Sequence, residues 1–397
     1  MSSAIQPSWD DPTGAARASE LFTQTFATPP DGVWASPGRI NLIGEHVDYN
    51  AGLCLPVALP HRTFAAVRAR DDDRVRLVSA QAPGAVFEGS LDDLGPGRAT
   101  GWTAYAGGPA WVLREEGVPV RGFDAAVTSC VPFGAGLSSS AAIEGAVVLA
   151  VRELAGVGPL DDAARADLAA ACVRAENEIA GAPTGGMDQA ASLRSRADHA
   201  LLLDCQDLSV DHIPFAPAAD GLAILVIDTR APHSLNDGQY GLRRQQCQSA
   251  AEKLGLGSLR EVTDLDAALL ALTDPVERAR TRHVVTEIAR VREFVALLRS
   301  GALAGTGPLL DASHASLRDD YEVSCEELDV AVQTARAAGA LGARMTGGGF
   351  GGSAIALVRT VDVAAVADAV SAAYAARGWG EPGFLVADTA APGARVV

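Results

Sequence analysis

The order of apolar and polar residues along this chain predicts a protein that mixes strands with helices. Thr63–Arg70 and Arg74–Ser79 are two predicted strands, joined by the polar turn Asp71–Asp73. Apolar and polar positions alternate again within Gly122–Val131, which predicts a third strand. The segment Trp34–Pro60 is expected to open the folded part of the chain.

Helical segments are predicted in both halves of the chain. Tyr105–Glu116 is a predicted helix that ends at Gly117, with Pro119 just beyond it, a combination typical of helix ends. The other predicted helices are Ala141–Leu154, about Asp162–Ala180, charged helices between Tyr240 and Ser300, one between Asp319 and Ala338, and about Ala364–Arg377. Buried strands are predicted for the apolar runs Leu201–Asp204, Leu222–Ile227 and Ser353–Val358.

The chain of 397 residues is longer than the ~250–300 residues at which a single hydrophobic core stops growing. We therefore expect two domains, residues 1–197 and 198–397, because the composition changes near Arg194–Ala200. Apolar residues make up 48% and charged residues 20% of the chain, as in an ordinary folded protein. The polar stretch Met1–Gly14 is the one part in which disorder is expected.

Charge and cysteine usage exclude several classes of function. A formal net charge of −17 makes nucleic acid and anionic membranes poor partners, and an anionic substrate would need local positive potential. Lys253 is the only lysine, which excludes a catalytic lysine elsewhere. The six cysteines form no C-x-x-C pair, so neither a disulfide scaffold nor a zinc site is expected. Without an apolar leader or a ~20-residue apolar segment, we expect a cytoplasmic protein with no membrane partner.

The segment Pro132–Ala142 (PFGAGLSSSAA) stands between a predicted strand and a predicted helix. Its glycines allow backbone N–H groups to approach a ligand closely, and a helix start presents free N–H donors and partial positive charge. Such a loop is suited to bind an anion, and one of its serines could ligate Mg²⁺. A serine-capped helix after a glycine turn explains the segment equally well. No G-x-x-x-x-G-K-[ST] sequence is present, which excludes the usual P-loop.

Two carboxylates stand on either side of a glycine-rich turn. Glu176 lies late in a predicted helix, and Asp188 follows the turn Gly181–Gly186. One of them would suit a Mg²⁺ ligand, and the other would suit removal of a hydroxyl proton or orientation of that hydroxyl. A surface position explains Glu176 as well, and a helix N-cap is the alternative for Asp188.

Four polar residues crowd into ten positions near the N-terminus. Arg39, Glu45, His46 and Asp48 lie among apolar residues. Carboxylates accept strong paired hydrogen bonds from neighbouring hydroxyls, so the cluster predicts a site for a polyhydroxylated ligand. Such a site can also reject isomers, because the wrong isomer leaves buried groups unpaired. A lone histidine would more often be structural, and the density of polar groups is what carries this prediction.

Three separated motifs resemble those of the galactokinases, a branch of the GHMP family of small-molecule kinases. Gly38–Pro56 (GRINLIGEHVDYNAGLCLP) is similar to the galactokinase signature. Pro132–Ala142 resembles the family's phosphate loop, and Met345–Leu357 (MTGGGFGGSAIAL) resembles its C-terminal glycine motif. Weaker similarities lie at Trp102–Gly107 (WTAYAG) and at His233–Cys247 around Tyr240.

The resemblance implies an α+β, two-domain GHMP kinase fold with the active site in the cleft between the domains. The N-terminal domain would resemble the second domain of ribosomal protein S5, and the C-terminal domain would be ferredoxin-like. The implied reaction is the phosphorylation of the C1 hydroxyl of α-D-galactose by ATP, the first committed step of galactose catabolism in the Leloir pathway. Mg²⁺ is the implied cofactor, galactose and ATP are the implied partners, and a monomer is expected.

The resemblance also implies roles for matching positions. Asp188 would be the catalytic carboxylate facing the C1 hydroxyl, with Arg39 stabilising the charge that develops there. The implied substrate contacts are Glu45, His46, Val47, Asp48, the Gly185 backbone, Asp188 and Tyr240. The implied ATP contacts are Gly134, Ala135, Gly136, Leu137, Ser138, Ser139 and Ser140, with Trp102 and Tyr105 bordering the adenine. The implied Mg²⁺ ligands are Ser140 and Glu176.

Other readings of the same residues stay open at this point. Val47 stands where the family usually has threonine, although Glu45, His46 and Asp48 are intact. The substrate could be a related sugar such as N-acetylgalactosamine or arabinose, or a non-sugar alcohol as in mevalonate kinases, and some relatives are non-catalytic sensors. The Ser140-Ala141 dipeptide and the catalytic carboxylate favour an enzyme over a sensor. The Glu-His-x-Asp cluster speaks against non-sugar acceptors but says less about amino sugars.

Overall fold

A computed structural model of the protein describes residues 5–182, 184–231 and 238–397. Its strands are β1 (Gly32–Asn41), β2 (Leu53–Cys54), β3 (Pro56–Ala69), β4 (Arg74–Ser79), β5 (Val86–Ser90), β6 (Phe123–Ser129), β7 (His199–Asp204), β8 (Ser209–Pro214), β9 (Leu222–Asp228), β10 (Gly342–Thr346), β11 (Ser353–Arg359), β12 (Gly383–Val386) and β13 (Ala394–Arg395). Its α-helices are α1 (Asp11–Phe26), α2 (Trp102–Glu115), α3 (Ser139–Leu154), α4 (Asp162–Ala175), α5 (Met187–Arg194), α6 (Gln239–Lys253), α7 (Leu265–Ala271), α8 (Pro275–Arg299), α9 (Gly307–Asp319), α10 (Glu326–Ala337) and α11 (Val363–Ala375). The predicted α+β class is confirmed.

The first half of the chain is built on a six-stranded sheet with the strand order β13-β1-β3-β6-β4-β5. Neighbouring strands are antiparallel except for the parallel pair β4 and β6. Because successive side chains of a strand point to opposite faces, β3 contributes to two cores. Phe64 and Ala66 pack with α1, whereas Ala65 and Val67 pack with the cluster formed by α2, α3 and α4.

Helix α1 differs from the sequence-based expectation. The prediction of disorder over Met1–Gly14 is wrong for its last residues, because the helix begins at Asp11. Asp10 caps it by accepting a hydrogen bond of 2.9 Å from the backbone N–H of Thr13, and a proline lies in the first turn, both typical helix-start features. Residues 1–4 lie outside the part of the chain that the structure describes.

The second half of the chain is built on an antiparallel four-stranded sheet with the order β10-β11-β9-β12. Helices α9, α10 and α11 contact this sheet, an arrangement that agrees with the predicted ferredoxin-like domain. The charged region between Tyr240 and Ser300 contains three helices, α6, α7 and α8. The helix predicted between Asp319 and Ala338 begins only at Glu326, because α9 ends at Asp319 and a turn with Glu322 at a φ of 55° follows.

The two halves exchange segments in three places. Strand β13, at the end of the chain, pairs with β1, and the backbone N–H of Gln6 donates to the carbonyl of Phe384. The hairpin β7–β8 extends β2 into a three-stranded sheet. The domain border between residues 197 and 198 stays a prediction. Each end of the chain contacts the half on the other side of this border.

The largest buried cluster joins the two halves. It contains Ile40, Leu42 and Ile43 from the β1 end together with Val291 of α8 and Ile355 of β11. The polar signature segment therefore lies where the halves meet. The six cysteines are free thiols. Among the described residues, no helix is both long enough and apolar enough to cross a bilayer.

Candidate active site

Two adjoining cavities lie where the halves of the chain meet. The smaller has a volume of about 160 Å³, and its lining consists of Arg39, Glu45, His46, Asp48, Glu176, Thr184, Met187, Asp188, Tyr240, Gly347 and Gly348. The larger has a volume of about 790 Å³, and its lining includes Tyr105, Gly134, Gly136, Leu137, Ser138, Ser139, Ser140 and residues 348–352. Four residues border both cavities and mark their junction: Arg39, Asp188, Tyr240 and Gly348.

A β-bulge in β1 places Arg39 at this junction. The register of β1 against β3 shifts between Pro37 and Arg39, and bulges of this kind re-aim side chains near active sites. At the bulge, Gly38 approaches the phosphate loop so closely that a Cβ would lie 2.6 Å from the carbonyl oxygen of Leu137. The backbone N–H of Arg39 donates to that carbonyl at 3.1 Å, so strand and loop are fixed to each other.

Arg39 and Asp188 form a two-point ion pair. Arg39 Nε donates to Asp188 Oδ1 and Arg39 Nη2 to Asp188 Oδ2, each at 2.9 Å. Arg39 Nη1 donates to the Gly136 carbonyl at 2.6 Å. The side chain of Arg39 is 6% exposed and that of Asp188 is 23% exposed, so the carboxylate can reach a ligand while the guanidinium is held behind it. Paired hydrogen bonds of this type fix direction as well as distance.

Asp188 does not cap a helix, which was the alternative for it. The N-cap of α5 is Gly186, at a φ of 93° that favours glycine, and Asp188 lies in the first turn. A carboxylate in a first turn is stabilised by the partial positive charge of the helix start.

The start of α3 keeps its N–H donors free of side-chain caps. Ser138 occupies the N-cap position, but its side chain makes no capping hydrogen bond. Its hydroxyl donates to Asp188 Oδ2 instead. The uncapped helix start faces the larger cavity through Ser139 and Ser140, which is the arrangement suited to an anion. The ligand-free alternative for this loop, a serine-capped helix, is not what the structure shows.

Glu176 reaches the site because the helix widens at this point. After α4 the chain continues as a π-helix over Glu176–Ala180, an irregularity frequent at functional sites. The carboxylate lines the smaller cavity, while Ser140 lines the adjoining one. Burial raises the pKa of Glu176, and the negative charge of Asp188 adds to this shift. A cation beside Glu176 would favour its charged form instead.

Behind Glu176 lies a second buried carboxylate that sequence analysis did not single out. Gln189 Nε2 donates to Glu176 Oε2 and, at 3.1 Å, to Glu144 Oε2. Burial raises the pKa of Glu144 well above its usual range, and the charge of Glu176 adds to this shift. The amide of Gln189 thus bridges the two carboxylates, and it fixes one oxygen of Glu176.

Glu45 is held by protein groups on both carboxylate oxygens. Oε2 accepts a hydrogen bond of 3.0 Å from Asn41 Nδ2. Oε1 accepts from the Thr346 hydroxyl at 3.0 Å and from the Gly347 backbone N–H at 2.7 Å. These donors come from both halves of the chain, so Glu45 joins the signature segment to the glycine turn before any ligand is bound.

The backbone around Glu45 is fixed by buried charges of the second half. Arg344 Nη1 donates to the carbonyl of Leu42 at 2.9 Å, and Nη2 lies 3.5 Å from Glu45 Oε1. Glu287 Oε1 accepts from the Gly44 N–H at 2.9 Å. Burial opposes the charge of Glu287, but Arg290 and Arg344 lower its pKa to about 2. His283 Nε2 donates to the Glu45 carbonyl at 3.1 Å.

His46 lines the smaller cavity with both ring nitrogens engaged. Nδ1 is 2.9 Å from the Tyr49 hydroxyl and Nε2 is 3.2 Å from the Gly348 carbonyl. Burial lowers the pKa of His46 to about 3, so the ring is neutral. The ring of Tyr240 packs against that of His46, with 5.4 Å between their centroids.

Asp48 keeps its carboxylate close to the turn that precedes Asp188. A Cβ on Gly185 would lie 2.2 Å from Asp48 Oδ2, so only glycine fits at this position. Burial raises the pKa of Asp48 to about 6, and the charges of Asp188 and Glu45 add to this shift. Gly185 itself is not among the lining residues.

Besides Gly185, three predicted contacts lie away from the cavity walls. The side chain of Val47 is fully buried in the core, because the chain turns so that Val47 packs against Gly52. Ala135 is also buried in that core, and Trp102 packs on the core of the first half. None of these three residues lines either cavity, so their contacts with a ligand stay predictions. Of the segment His233–Cys247, residues 233–237 lie outside the described residues.

The predicted site residues are supported by others that the sequence motifs did not identify. The supporting residues are Asn41, Glu144, Gln189, Glu287, Arg344 and Thr346. Their only signal in the sequence is polarity within apolar surroundings, as for Arg344 beside the glycine motif. Such polarity indicates a buried partner but does not identify it.

Comparisons with known proteins match the chain over most of its length. Residues 20–69 match the galactokinase galactose-binding signature, residues 104–196 the N-terminal domain of GHMP kinases and residues 294–376 their C-terminal domain. A galactokinase of Streptomyces coelicolor is 50% identical over 96% of this chain and 99% of its own length. A galactokinase of Mycobacterium tuberculosis is 46% identical over 91% of this chain and 98% of its own length.

Solved structures agree with these matches. Lactococcus lactis galactokinase complexed with galactose superposes with a TM-score of 0.90 at 34% identity, covering 95% of this chain and 98% of that one. Methanococcus jannaschii mevalonate kinase superposes with a TM-score of 0.63 at 15% identity, covering 90% of this chain and 98% of that one. The second likeness shows a shared fold.

Arg344→Met is expected to lower the free energy of unfolding by about 3 kcal/mol, because removing one partner of a buried ion pair leaves a buried carboxylate without its counter-charge. Urea denaturation measures this change. The control is Arg74→Met, since Arg74 pairs with Glu88 on the surface, where both side chains are 56% exposed, and such pairs contribute about 0–1 kcal/mol. Equal losses in the two variants would contradict the role given to Arg344.

Proposed function

Because the chain belongs to the galactokinase family of GHMP kinases, we propose that it transfers the γ-phosphoryl group of ATP to the C1 hydroxyl of galactose. The products are galactose 1-phosphate and ADP. The observation that carries the proposal is the position of Arg39 and Asp188 at the junction of two cavities. One cavity is lined by the polar signature cluster and the other by the phosphate loop. Ligands bound in both would meet at this pair.

The smaller cavity suits the sugar. Its wall combines the carboxylates of Glu45, Asp48 and Asp188 with the ring of Tyr240, and carboxylates bind vicinal hydroxyls through charge-assisted hydrogen bonds. Asp48 is the best placed to accept bonds from a sugar, because Glu45 and Asp188 each already accept three hydrogen bonds from protein groups. Oδ1 of Asp188 still has room for one further bond. The galactokinase galactose-binding signature matches residues 20–69, and the similar Lactococcus lactis galactokinase has been solved with galactose.

The larger cavity suits the nucleotide. The uncapped start of α3 offers N–H donors to the phosphates, and the glycine turn Gly347–Gly352 forms the opposite wall. Tyr105 also lines this cavity, which supports its proposed place beside the adenine. Against a net charge of −17, the helix start and Arg39 supply the local positive potential that an anionic substrate requires.

Ser140 and Glu176 fit a Mg²⁺ site. Ser140 lines the larger cavity and Glu176 the smaller one, and a hydroxyl and a carboxylate are the hard oxygen donors that Mg²⁺ prefers. The described residues contain no group of three or more His, Cys, Asp or Glu that could hold a metal alone. Mg²⁺ usually binds through one or two carboxylates together with substrate phosphates. When bound, it neutralises charge on the phosphates.

In this proposal, Asp188 positions the C1 hydroxyl for attack and accepts its proton as the bond to phosphorus forms. Its Oδ1 keeps an acceptor site beyond the bond from Arg39 Nε, whereas Oδ2 accepts from both Arg39 and Ser138. Arg39 keeps the carboxylate in one orientation and stabilises negative charge at the junction. Positioning and electrostatics supply most of the catalysis in such transfers. A cytoplasmic location and a monomeric state stay predictions from the sequence.

A coupled assay of ADP release across a panel of sugars tests the substrate. We expect galactose to give the highest kcat/KM, at least about tenfold above glucose, arabinose and N-acetylgalactosamine, because unpaired buried polar groups penalise a wrong isomer. Equal activity with any of these sugars would contradict the galactose assignment. ADP release that no sugar stimulates would contradict the kinase assignment itself.

Asp188→Asn is expected to lower kcat by at least about 10²–10⁴, the usual contribution of general-base catalysis. Galactose binding, measured by calorimetry, should survive, because the amide keeps the shape of the carboxylate. The control is Asp162→Asn, which removes a carboxylate that also pairs with one arginine through two hydrogen bonds, to Arg194 at 3.1 and 2.8 Å, but lies outside both cavities. Near-normal turnover of Asp188→Asn would remove Asp188 from the mechanism.

A further inference from the structure

A chain of buried hydrogen bonds leads from the core of the second half to the wall of the smaller cavity. Cys247 Sγ is 3.0 Å from the Tyr321 hydroxyl, which is 2.8 Å from the Tyr49 hydroxyl. Tyr49 in turn is 2.9 Å from His46 Nδ1, and His46 Nε2 is 3.2 Å from the Gly348 carbonyl. Of these five residues, only His46 and Gly348 line the cavity.

The direction of every hydrogen bond in this chain follows from its two ends. The Gly348 carbonyl can only accept, so the neutral ring of His46 carries its proton on Nε2 and accepts at Nδ1. Tyr49 must therefore donate to His46. Because Tyr49 has no second proton, Tyr321 must donate to Tyr49, and by the same reasoning Cys247 must donate to Tyr321. Each hydroxyl both donates and accepts, and no alternative pattern satisfies all four contacts.

His46 needs such support because its backbone is unfavourable. Its φ is 58°, in the left-handed region that non-glycine residues rarely occupy. Asn50 Nδ2 donates to the His46 carbonyl at 3.1 Å and holds this turn. Among the described residues, only Tyr49 and Gly348 form hydrogen bonds with the His46 side chain, and these two bonds orient it.

The position of His46 also sets that of Tyr240. The ring of Tyr240 packs against His46 and Tyr49, with centroid separations of 5.4 and 5.2 Å. Tyr240 borders both cavities. Displacement of the His46 ring would therefore move two walls of the smaller cavity while leaving the start of α3 and the phosphate loop in place.

We propose that Tyr49 and Tyr321 are positioning residues for the acceptor sugar, acting through His46 and Tyr240. Neither hydroxyl touches the sugar, and both are needed to hold the His46 ring in the orientation that shapes the pocket. With both nitrogens engaged, His46 contributes to sugar recognition through its position and its ring surface and does not act as a proton acceptor. This inference rests on the proposed function, because it concerns the same sugar site.

Tyr49→Phe tests the proposal, because it removes the hydroxyl and keeps the ring that packs on Tyr240. We expect the KM for galactose to rise about tenfold, since His46 Nδ1 and the Tyr321 hydroxyl both lose a buried partner. The KM for ATP should stay within about twofold and kcat within about threefold, because the phosphate loop and Asp188 lie outside the chain of hydrogen bonds. Tyr321→Phe should have the same effect in the same direction.

The control is Tyr374→Phe, which removes a buried hydroxyl that donates to the Glu327 carbonyl at 2.6 Å. Tyr374 lines neither cavity. It is expected to leave both KM values unchanged. The proposal is overturned if Tyr49→Phe and Tyr321→Phe leave the KM for the sugar unchanged, if they raise both KM values equally, or if neither variant folds. All KM values are measured with the sugar that the unaltered enzyme phosphorylates best. An error in the galactose assignment would therefore show in the sugar panel of the unaltered enzyme and not in the comparison of the variants.

Discussion

The two-point ion pair between Arg39 and Asp188 is the interaction on which the rest of the site depends. It crosses from β1 to α5 and lies where the two cavities join. An arginine fork gives a carboxylate both charge compensation and a fixed direction. The carboxylate can therefore lie next to a polyanionic ligand in a strongly acidic protein. Without the pair, Asp188 would face Glu176 and Asp48 as a third unscreened negative charge.

Several local irregularities of the fold serve this pair. The bulge at Gly38 turns Arg39 towards the phosphate loop, and the N-cap serine of α3 gives its hydroxyl to Asp188 and leaves the helix start open. The π-helical turn brings Glu176 to the same place. Buried groups of the second half, above all Arg344, hold the segment around Glu45, which lines the smaller cavity. The site is thus fixed by both halves and is largely formed without ligand, as positioning catalysis requires.

The sequence revealed the main parts of this arrangement and left out their supports. Strands such as Arg74–Ser79 and helices such as α3 follow from periodicity, and the motifs identified the phosphate loop and the signature cluster. Helix α1 was missed because the first half of its buried side consists of the small residues Gly14, Ala15 and Ala18, although Asp10 and Pro12 are start signals. The bulge, the π-helix and the partners of Gln189 and Arg344 depend on contacts between distant residues. Such contacts leave no periodic pattern in one sequence.

A crystal structure of the enzyme with galactose, Mg²⁺ and a non-hydrolysable ATP analogue tests the central claim most directly. The account requires the C1 oxygen of galactose to lie within about 3 Å of an Asp188 oxygen, in hydrogen-bond reach. It also requires the γ-phosphorus to lie in line beyond that oxygen, at roughly 3–3.5 Å. A sugar bound with its C1 oxygen turned away from Asp188, towards a different carboxylate or into solvent, would contradict it.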